Sequence, residues 1–106
     1  MNTFTGKGVV KRDVVYLSNS IVCTMSFCTG TTLLENDAKK NRYTFIKSIF
    51  LGNENDVKRM KEIIQENNSI EITGHLDSEQ YITSSNKVVF NKILIIDDAK
   101  LIEDDG

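Results

Sequence analysis

The stretch from Tyr43 to Gly74 constrains the fold more than any other part of the sequence. Residues 43–51 are rich in aromatic and branched side chains and are followed by a glycine, which is typical of a β-strand. Residues 53–66 carry one apolar stripe at helical spacing. Residues 69–74 alternate apolar and polar side chains and end at a second glycine. The stretch therefore predicts a strand, one short amphipathic helix and a second strand.

Further strand patterns flank this stretch on both sides. Residues 3–17 and 21–29 precede it, and the strand that begins at residue 69 continues to 82 before a turn signal and a last strand over 87–96. Three strands, a helix and two strands follow one another in the order of an oligonucleotide-binding (OB) barrel. We therefore predict an all-β protein with one short helix, folded as a five-stranded OB-fold Greek-key barrel whose helix plugs one end.

The length of the chain favours one domain with one core, because it has 106 residues. We assign residues 1–102 to the OB-fold domain and residues 103–106 to a short acidic C-terminal end. The first strand is expected to run over residues 3–17, with a bulge or a bend at Gly6 and Gly8.

Side-chain alternation identifies the core face of some strands and leaves one undecided. Cys23, Met25 and Phe27 share a face of the second strand and are predicted to point into the core, as are Ile70 and Ile72 of the fourth. The third strand carries large apolar side chains on both faces. The pattern therefore does not decide which of its faces lines the barrel interior.

The charge of the chain is unevenly distributed. The net charge is −2, but residues 1–47 carry seven Lys and Arg against three Asp and Glu, whereas residues 48–106 carry six against twelve. A basic binding face is compatible with a net negative charge, because binding of nucleic acid depends on the local electrostatic field over one surface rather than on the total charge.

No run approaches the about 18 apolar residues of a membrane span, and no secretory signal is visible at the amino terminus. We expect a cytoplasmic protein without membrane contact.

Motifs for catalysis or cofactor binding are absent from the sequence. There is no phosphate-binding glycine loop and no nucleophile elbow. His75 is the only histidine and is interpreted as structural. Cys23 and Cys28 are too far apart in an extended strand for a disulfide and are expected to be two buried free thiols. We predict no enzyme activity, no cofactor and no metal site.

Aromatic and basic residues supply a different kind of candidate site. Proteins that bind nucleic-acid single strands stack bases on aromatic rings and hold phosphates with cations. Residues 30–42 are interpreted as a ligand-facing hairpin extension, with a disordered loop as the alternative. The candidates for a binding surface are, in chain order, Lys7, Lys11, Arg12, Lys39, Lys40, Arg42, Tyr43, Phe45, Lys47, Tyr81 and Lys87.

Four segments together resemble the bacterial-type single-stranded DNA-binding protein family. Gly8–Asp13 resembles the family's opening segment, and Ile21–Thr29 resembles its second strand. Phe45–Gly52 resembles the strand that precedes the family's helix, and Ser69–Leu76 resembles its V-x-V-x-G-x-L motif. The resemblance lies in the order and spacing of the segments, which span most of the chain.

The resemblance implies base-stacking positions and shows where this chain departs from the family. Phe45 and Tyr81 fall where family members stack bases, whereas Leu51 falls where many members have a stacking phenylalanine. Asp77 and Glu79 stand where basic residues are usual. The family's flexible tail with its acidic tip is lacking, so the resemblance implies a divergent or tail-less member.

The expected function is binding of single-stranded DNA without catalysis, by aromatic stacking and basic phosphate contacts. The resemblance implies a homo-oligomer, either a dimer or a tetramer, and replication proteins as further partners. The Asn-, Lys- and Ile-rich composition suits the AT-rich genome of a phage or mobile element, and we expect a role in its replication, recombination or transfer. An alternative is an OB-fold protein-interaction module of the primosome-accessory type, with weak or no DNA binding. Binding of RNA by the same surface is a further alternative.

Overall fold

The structure is a computed structural model that describes residues 3–36 and 38–102. These described residues form six strands and one helix. In order these are β1 Phe4–Val10, β2 Val15–Tyr16, β3 Ser20–Leu33, β4 Lys39–Leu51, α1 Glu54–Lys61, β5 Ser69–Ile82 and β6 Val88–Leu101. The acidic end that the sequence assigns to residues 103–106 lies outside the described residues.

The five long strands close into a barrel. The sheet order is β1-β5-β6-β4-β3-β2, and a further pairing of β1 with β3 closes the circle. Val9 marks the closure, because it lies opposite Ser69 of β5 and opposite Ser26 of β3. β4 and β6 pair in parallel, whereas the other pairs are antiparallel. This arrangement, with helix α1 between β4 and β5, confirms the predicted OB fold.

Helix α1 begins at a capping box. The Asn53 side chain accepts a 2.8 Å hydrogen bond from the Asp56 backbone N–H, and the Asp56 carboxylate accepts one from the Asn53 N–H. These two bonds satisfy backbone donors that the first helical turn leaves free. Val57, Met60 and Ile64 are buried in the same core as the barrel side chains. The predicted stripe therefore joins the helix to the barrel.

The predicted first strand is wrong in its extent. β1 ends at Val10, and the chain pairs again only at Val15–Tyr16. Between them Asp13 adopts a left-handed φ of 66°. A residue in that conformation cannot continue a flat strand, so the expected strand over residues 3–17 is broken at this turn.

The two glycines of β1 do not form the expected bulge. Gly6 and Gly8 pair in continuous register with β5. A Cβ at Gly6 would lie 2.8 Å from the ring of Phe4, and a Cβ at Gly8 would lie 2.8 Å from the ring of Phe27. The glycines leave room for these two rings, which pack edge to face with centroids 5.2 Å apart.

Gly74 lies opposite a bulge in the neighbouring strand β6. Thr73 lies opposite Asp98 whereas Gly74 lies opposite Ile96, so Asp97 is the extra residue of a bulge in β6. A Cβ at Gly74 would overlap the carbonyl oxygen of Ile95. Gly74 is therefore required for the close approach of the two strands.

The predicted core faces of β3 and β5 are confirmed, whereas the prediction for the two cysteines holds for only one of them. Met25, Ile70 and Ile72 are fully buried, and Cys23 is buried beside them. Burial raises the pKa of the Cys23 thiol to about 11. The expectation that both thiols are buried is wrong, because Cys28 is exposed on the opposite face of β3.

Two hairpins extend beyond the barrel. The β3–β4 hairpin turns where the Leu34 N–H donates to the Ala38 carbonyl oxygen, so residues 30–36 and 38–42 belong to a hairpin rather than to a disordered loop. That this hairpin faces a ligand stays a prediction. The β5–β6 hairpin stays paired up to Ile82 and Val88. Several large apolar side chains on these extensions are exposed, so the hairpins add surface rather than core.

Candidate nucleic-acid interface

Phe45 lies on the outer face of the barrel. Alternation along β4 places Ser48 and Phe50 inside, where both are buried, and places Phe45 and Lys47 outside. The Phe45 side chain is 60% exposed. The structure thereby decides which face of β4 lines the interior, and it leaves an aromatic ring available on the surface.

A first concavity opens beside Phe45, where the chain turns between β1 and β2. Lys11, Arg12 and Asp13 line it together with the Phe45 ring. The Lys11 N–H donates a 2.9 Å hydrogen bond to the Thr24 carbonyl oxygen, which fixes the turn against β3. The Lys11 ammonium lies 5.9 Å from the centroid of the Phe45 ring, within cation–π range. An aromatic platform and two cations therefore share this concavity.

A second concavity lies on the other side of Phe45. Besides Phe45 it is lined by Lys47, Glu79, Asn91 and Lys92, among other residues. The Lys47 ammonium donates to both carboxylate oxygens of Glu79, at 3.1 and 3.0 Å. We call the surface formed by the two concavities and the Phe45 ring between them the Phe45 groove. It has cations on both sides of an aromatic ring.

Two other predicted aromatics lie on the same outer face. Tyr43 precedes Phe45 by two residues on β4 and is 54% exposed. Tyr81 follows Glu79 by two residues on β5 and is 46% exposed. A two-residue step along a strand is about 6–7 Å, so each tyrosine lies one such step from a residue of the groove, although neither lines the two concavities. Along β4, alternation places Lys39 on the face of Phe45.

Other predicted cations lie away from the Phe45 groove. Lys40 and Arg42 alternate with Lys39 and Tyr43 and so lie on the opposite face of β4. Lys7 is on β1, where its ammonium lies 4.0 Å from the Glu71 carboxylate. Lys87 follows the turn at the tip of the β5–β6 hairpin. The structure does not bring these four side chains into either concavity.

Some residues of the groove were missed by the sequence analysis. Asn91 and Lys92 line the second concavity, and Thr24 and Asn67 line the first. Asn91 and Lys92 lie in a strand that the sequence pattern shows as apolar on both faces. The polar pair Asn91 and Lys92 within that apolar run was the only sequence signal that these two residues lie on the surface.

The groove also contains carboxylates. Asp13 lines the first concavity and Glu79 the second.

His75, interpreted as structural, has its Nδ1 3.0 Å from Asp97 at the β6 bulge, away from both concavities. Within residues 3–36 and 38–102, no group of three or more His, Cys, Asp or Glu side chains is arranged to hold a metal ion. No helix in this part of the chain is long and apolar enough to span a membrane.

Solved structures share this architecture. The chain is similar to the small single-stranded DNA-binding protein from Streptomyces coelicolor, with a TM-score of 0.70 and 8% identity over 94% of this chain and 93% of that one. The fold is that of single-stranded DNA-binding proteins. The chain is also similar to the Plasmodium falciparum SSB solved in complex with ssDNA, with a TM-score of 0.70 and 16% identity over 97% of this chain and 96% of that one.

These likenesses confirm the resemblance seen in the sequence at the level of the fold. No family model matches the sequence, and no curated protein matches it either. At 8% and 16% identity, the shared feature is the course of the backbone rather than the side chains of a site. The likenesses therefore show the fold alone.

Proposed function

We propose that this chain binds single-stranded DNA along the Phe45 groove without catalysing a reaction. Bases stack on Phe45, with Tyr43 and Tyr81 as outer platforms. Lys11, Arg12 and Lys47 hold phosphates on the two sides of the ring. Every base has an aromatic face and every nucleotide a phosphate, so such a surface binds single strands with little sequence preference.

The observation that carries this proposal is the position of Phe45. A large apolar ring that is 60% exposed at the centre of an outer barrel face has no role in the core. Cations flank it on both sides, and the Lys11 ammonium lies over the ring itself. This combination is what stacking and phosphate binding require, and the solved SSB–ssDNA complex with the same fold supports it.

The remaining candidate cations fit this proposal as outer contacts. Lys39, Lys40 and Arg42 lie on the β3–β4 hairpin, Lys7 lies on β1, and Lys87 lies near the tip of the β5–β6 hairpin. A strand longer than the groove reaches them as it leaves the barrel. Their contribution is electrostatic and therefore falls as salt rises.

A fluorescence-anisotropy titration tests the proposed function. We expect a labelled dT oligonucleotide of about 30 nucleotides to bind more weakly as salt rises, because phosphate contacts release counterions. A duplex of equal length should bind much more weakly, because its bases are stacked on each other and cannot reach Phe45. Equal affinity for duplex and single strand would contradict stacking.

We propose further that the chain forms a homo-oligomer. The support is the exposed apolar surface of the β5–β6 hairpin, where Ile82 is 67% exposed, Val88 49% and Phe90 66%. Ile82 and Val88 lie directly opposite each other, so they form one cross-strand apolar pair. Sedimentation equilibrium should give a mass of two or four chains, and a mass of one chain at all concentrations would contradict this proposal.

The carboxylates of the groove favour a second candidate function. Asp13 and Glu79 place negative charge where phosphates would bind, and they weaken the field of the flanking cations. The second candidate is a protein-interaction module in phage or mobile-element replication, with a replication protein as partner. No binding of single strands at low salt, in the titration above, would favour it over DNA binding.

A further inference from the structure

The Lys47–Glu79 pair lies inside the Phe45 groove. Both carboxylate oxygens of Glu79 accept from the Lys47 ammonium, at 3.1 and 3.0 Å, although the two residues are 32 positions apart in the chain. The two side chains are 46% and 35% exposed. The pair thus bridges β4 and β5 within reach of a bound strand.

The Glu79 carboxylate presents to Lys47 the same chemistry as a phosphate. Each is an anion whose oxygens accept charge-assisted hydrogen bonds from an ammonium group. In the free protein Lys47 already has such an acceptor, so a phosphate gains this cation only by displacing Glu79. Exposed ion pairs hold their partners weakly, so displacement is feasible.

We propose that Glu79 is a built-in competitor that holds Lys47 away from DNA and thereby limits the affinity and the salt sensitivity of the groove. The inference rests on the proposed function and concerns regulation of the same site. When a phosphate takes Lys47, the freed carboxylate remains beside the strand and repels it. Two unit charges about 4 Å apart in water interact strongly enough to change an equilibrium by about fivefold.

Salt dependence separates this mechanism from a general effect of charge. In the wild type, the phosphate that takes Lys47 releases its counterion, but the freed Glu79 carboxylate takes one up, so this exchange adds nothing to the salt slope. In Glu79→Gln, Lys47 is free and its phosphate contact releases a counterion, which steepens the slope of log K against log salt by about 0.7. The carboxamide has nearly the same shape, so the groove is preserved.

The experiment measures the dT titration over a range of salt for four variants. Glu79→Gln should tighten binding by about fivefold at low salt and steepen the slope by about 0.7. Glu54→Gln is the matched control, because it removes one charge from an ion pair with Lys58 on helix α1, away from the groove. It should leave the slope unchanged. Neither Lys47→Gln nor the double variant Lys47→Gln with Glu79→Gln should steepen the slope, because both lack the cation that Glu79→Gln frees.

Two outcomes would overturn the inference while the proposed function stands. One is a slope for Glu79→Gln equal to that of the wild type. The other is the same steepening in the double variant, which would show that Lys47 is not the cation released. If neither wild type nor any variant binds single strands at any salt, the proposed function and this inference both fall.

Discussion

Replacing Phe45 with alanine is expected to weaken binding of single-stranded DNA by about 5- to 150-fold. Base–aromatic stacking contributes about 1–3 kcal/mol per base, and the proposed function makes the Phe45 ring the central platform of the groove. Because the ring is 60% exposed and lies outside the core, its removal should leave the fold intact. Anisotropy titration with the dT oligonucleotide measures the loss, and circular dichroism checks the fold.

Phe90→Ala is the matched control for this substitution. Phe90 is 66% exposed, so it is the same residue type at nearly the same exposure. It lies opposite Gln80 in the β5–β6 ladder, one position out of phase with Tyr81, and so it faces away from the groove side of the hairpin. Phe90 also belongs to the apolar surface proposed for oligomerisation, so affinities are compared once sedimentation shows that the variant keeps the wild-type mass. Its loss should then change affinity less than about twofold, since the proposed groove stacks no base there. Equal losses in the two variants would contradict the assignment of Phe45.

Replacing Gly74 with alanine is expected to destabilise the fold by about 3 kcal/mol or more. The new Cβ would overlap the carbonyl oxygen of Ile95, which is backbone and cannot rotate away. β5 and β6 would have to separate at the bulge that places Ile96 and Ala99 on the same interior face. Urea denaturation should show a lower midpoint with an unchanged slope.

Thr73→Ala tests whether the loss of stability in Gly74→Ala comes from the close approach of β5 and β6 rather than from any substitution in β5. Thr73 is the neighbouring residue of β5 and is exposed, so its truncation should cost less than about 1 kcal/mol. A stability for Gly74→Ala equal to that of Thr73→Ala would show that the strands have room for a side chain at the bulge. The close approach would then not be what requires a glycine.

The fold could be predicted from the sequence because its strands and helix carry simple periodic patterns. Met25, Ile70 and Ile72 alternate with polar neighbours, and they are fully buried as alternation requires. The turn at Asp13 could not be predicted, since neither its left-handed φ nor its effect on β1 has a pattern in the surrounding apolar and charged residues. The side-chain patterns therefore predicted the order of the strands and the helix better than the residues at which each one begins and ends.

The groove could be predicted only in part. Phe45, Lys47, Lys11 and Arg12 were candidates by residue type, and the structure brings all four to one outer face. Whether Phe45 pointed outward could not be decided, because Ile46 and Phe50 make the other face of β4 equally apolar. The contact of Lys47 with a carboxylate 32 positions away depends on barrel closure, which no local pattern encodes.

An NMR titration of the nitrogen-15-labelled chain with a short dT oligonucleotide tests most directly whether the Phe45 groove binds single-stranded DNA. We predict that the amide signals of Lys11, Phe45, Lys47 and Asn91 shift on titration, because these residues line the two concavities. Signals of residues 82–90, at the far end of the β5–β6 hairpin, should shift least. Shifts confined to residues 82–90, or no shifts at all, would contradict binding in the groove.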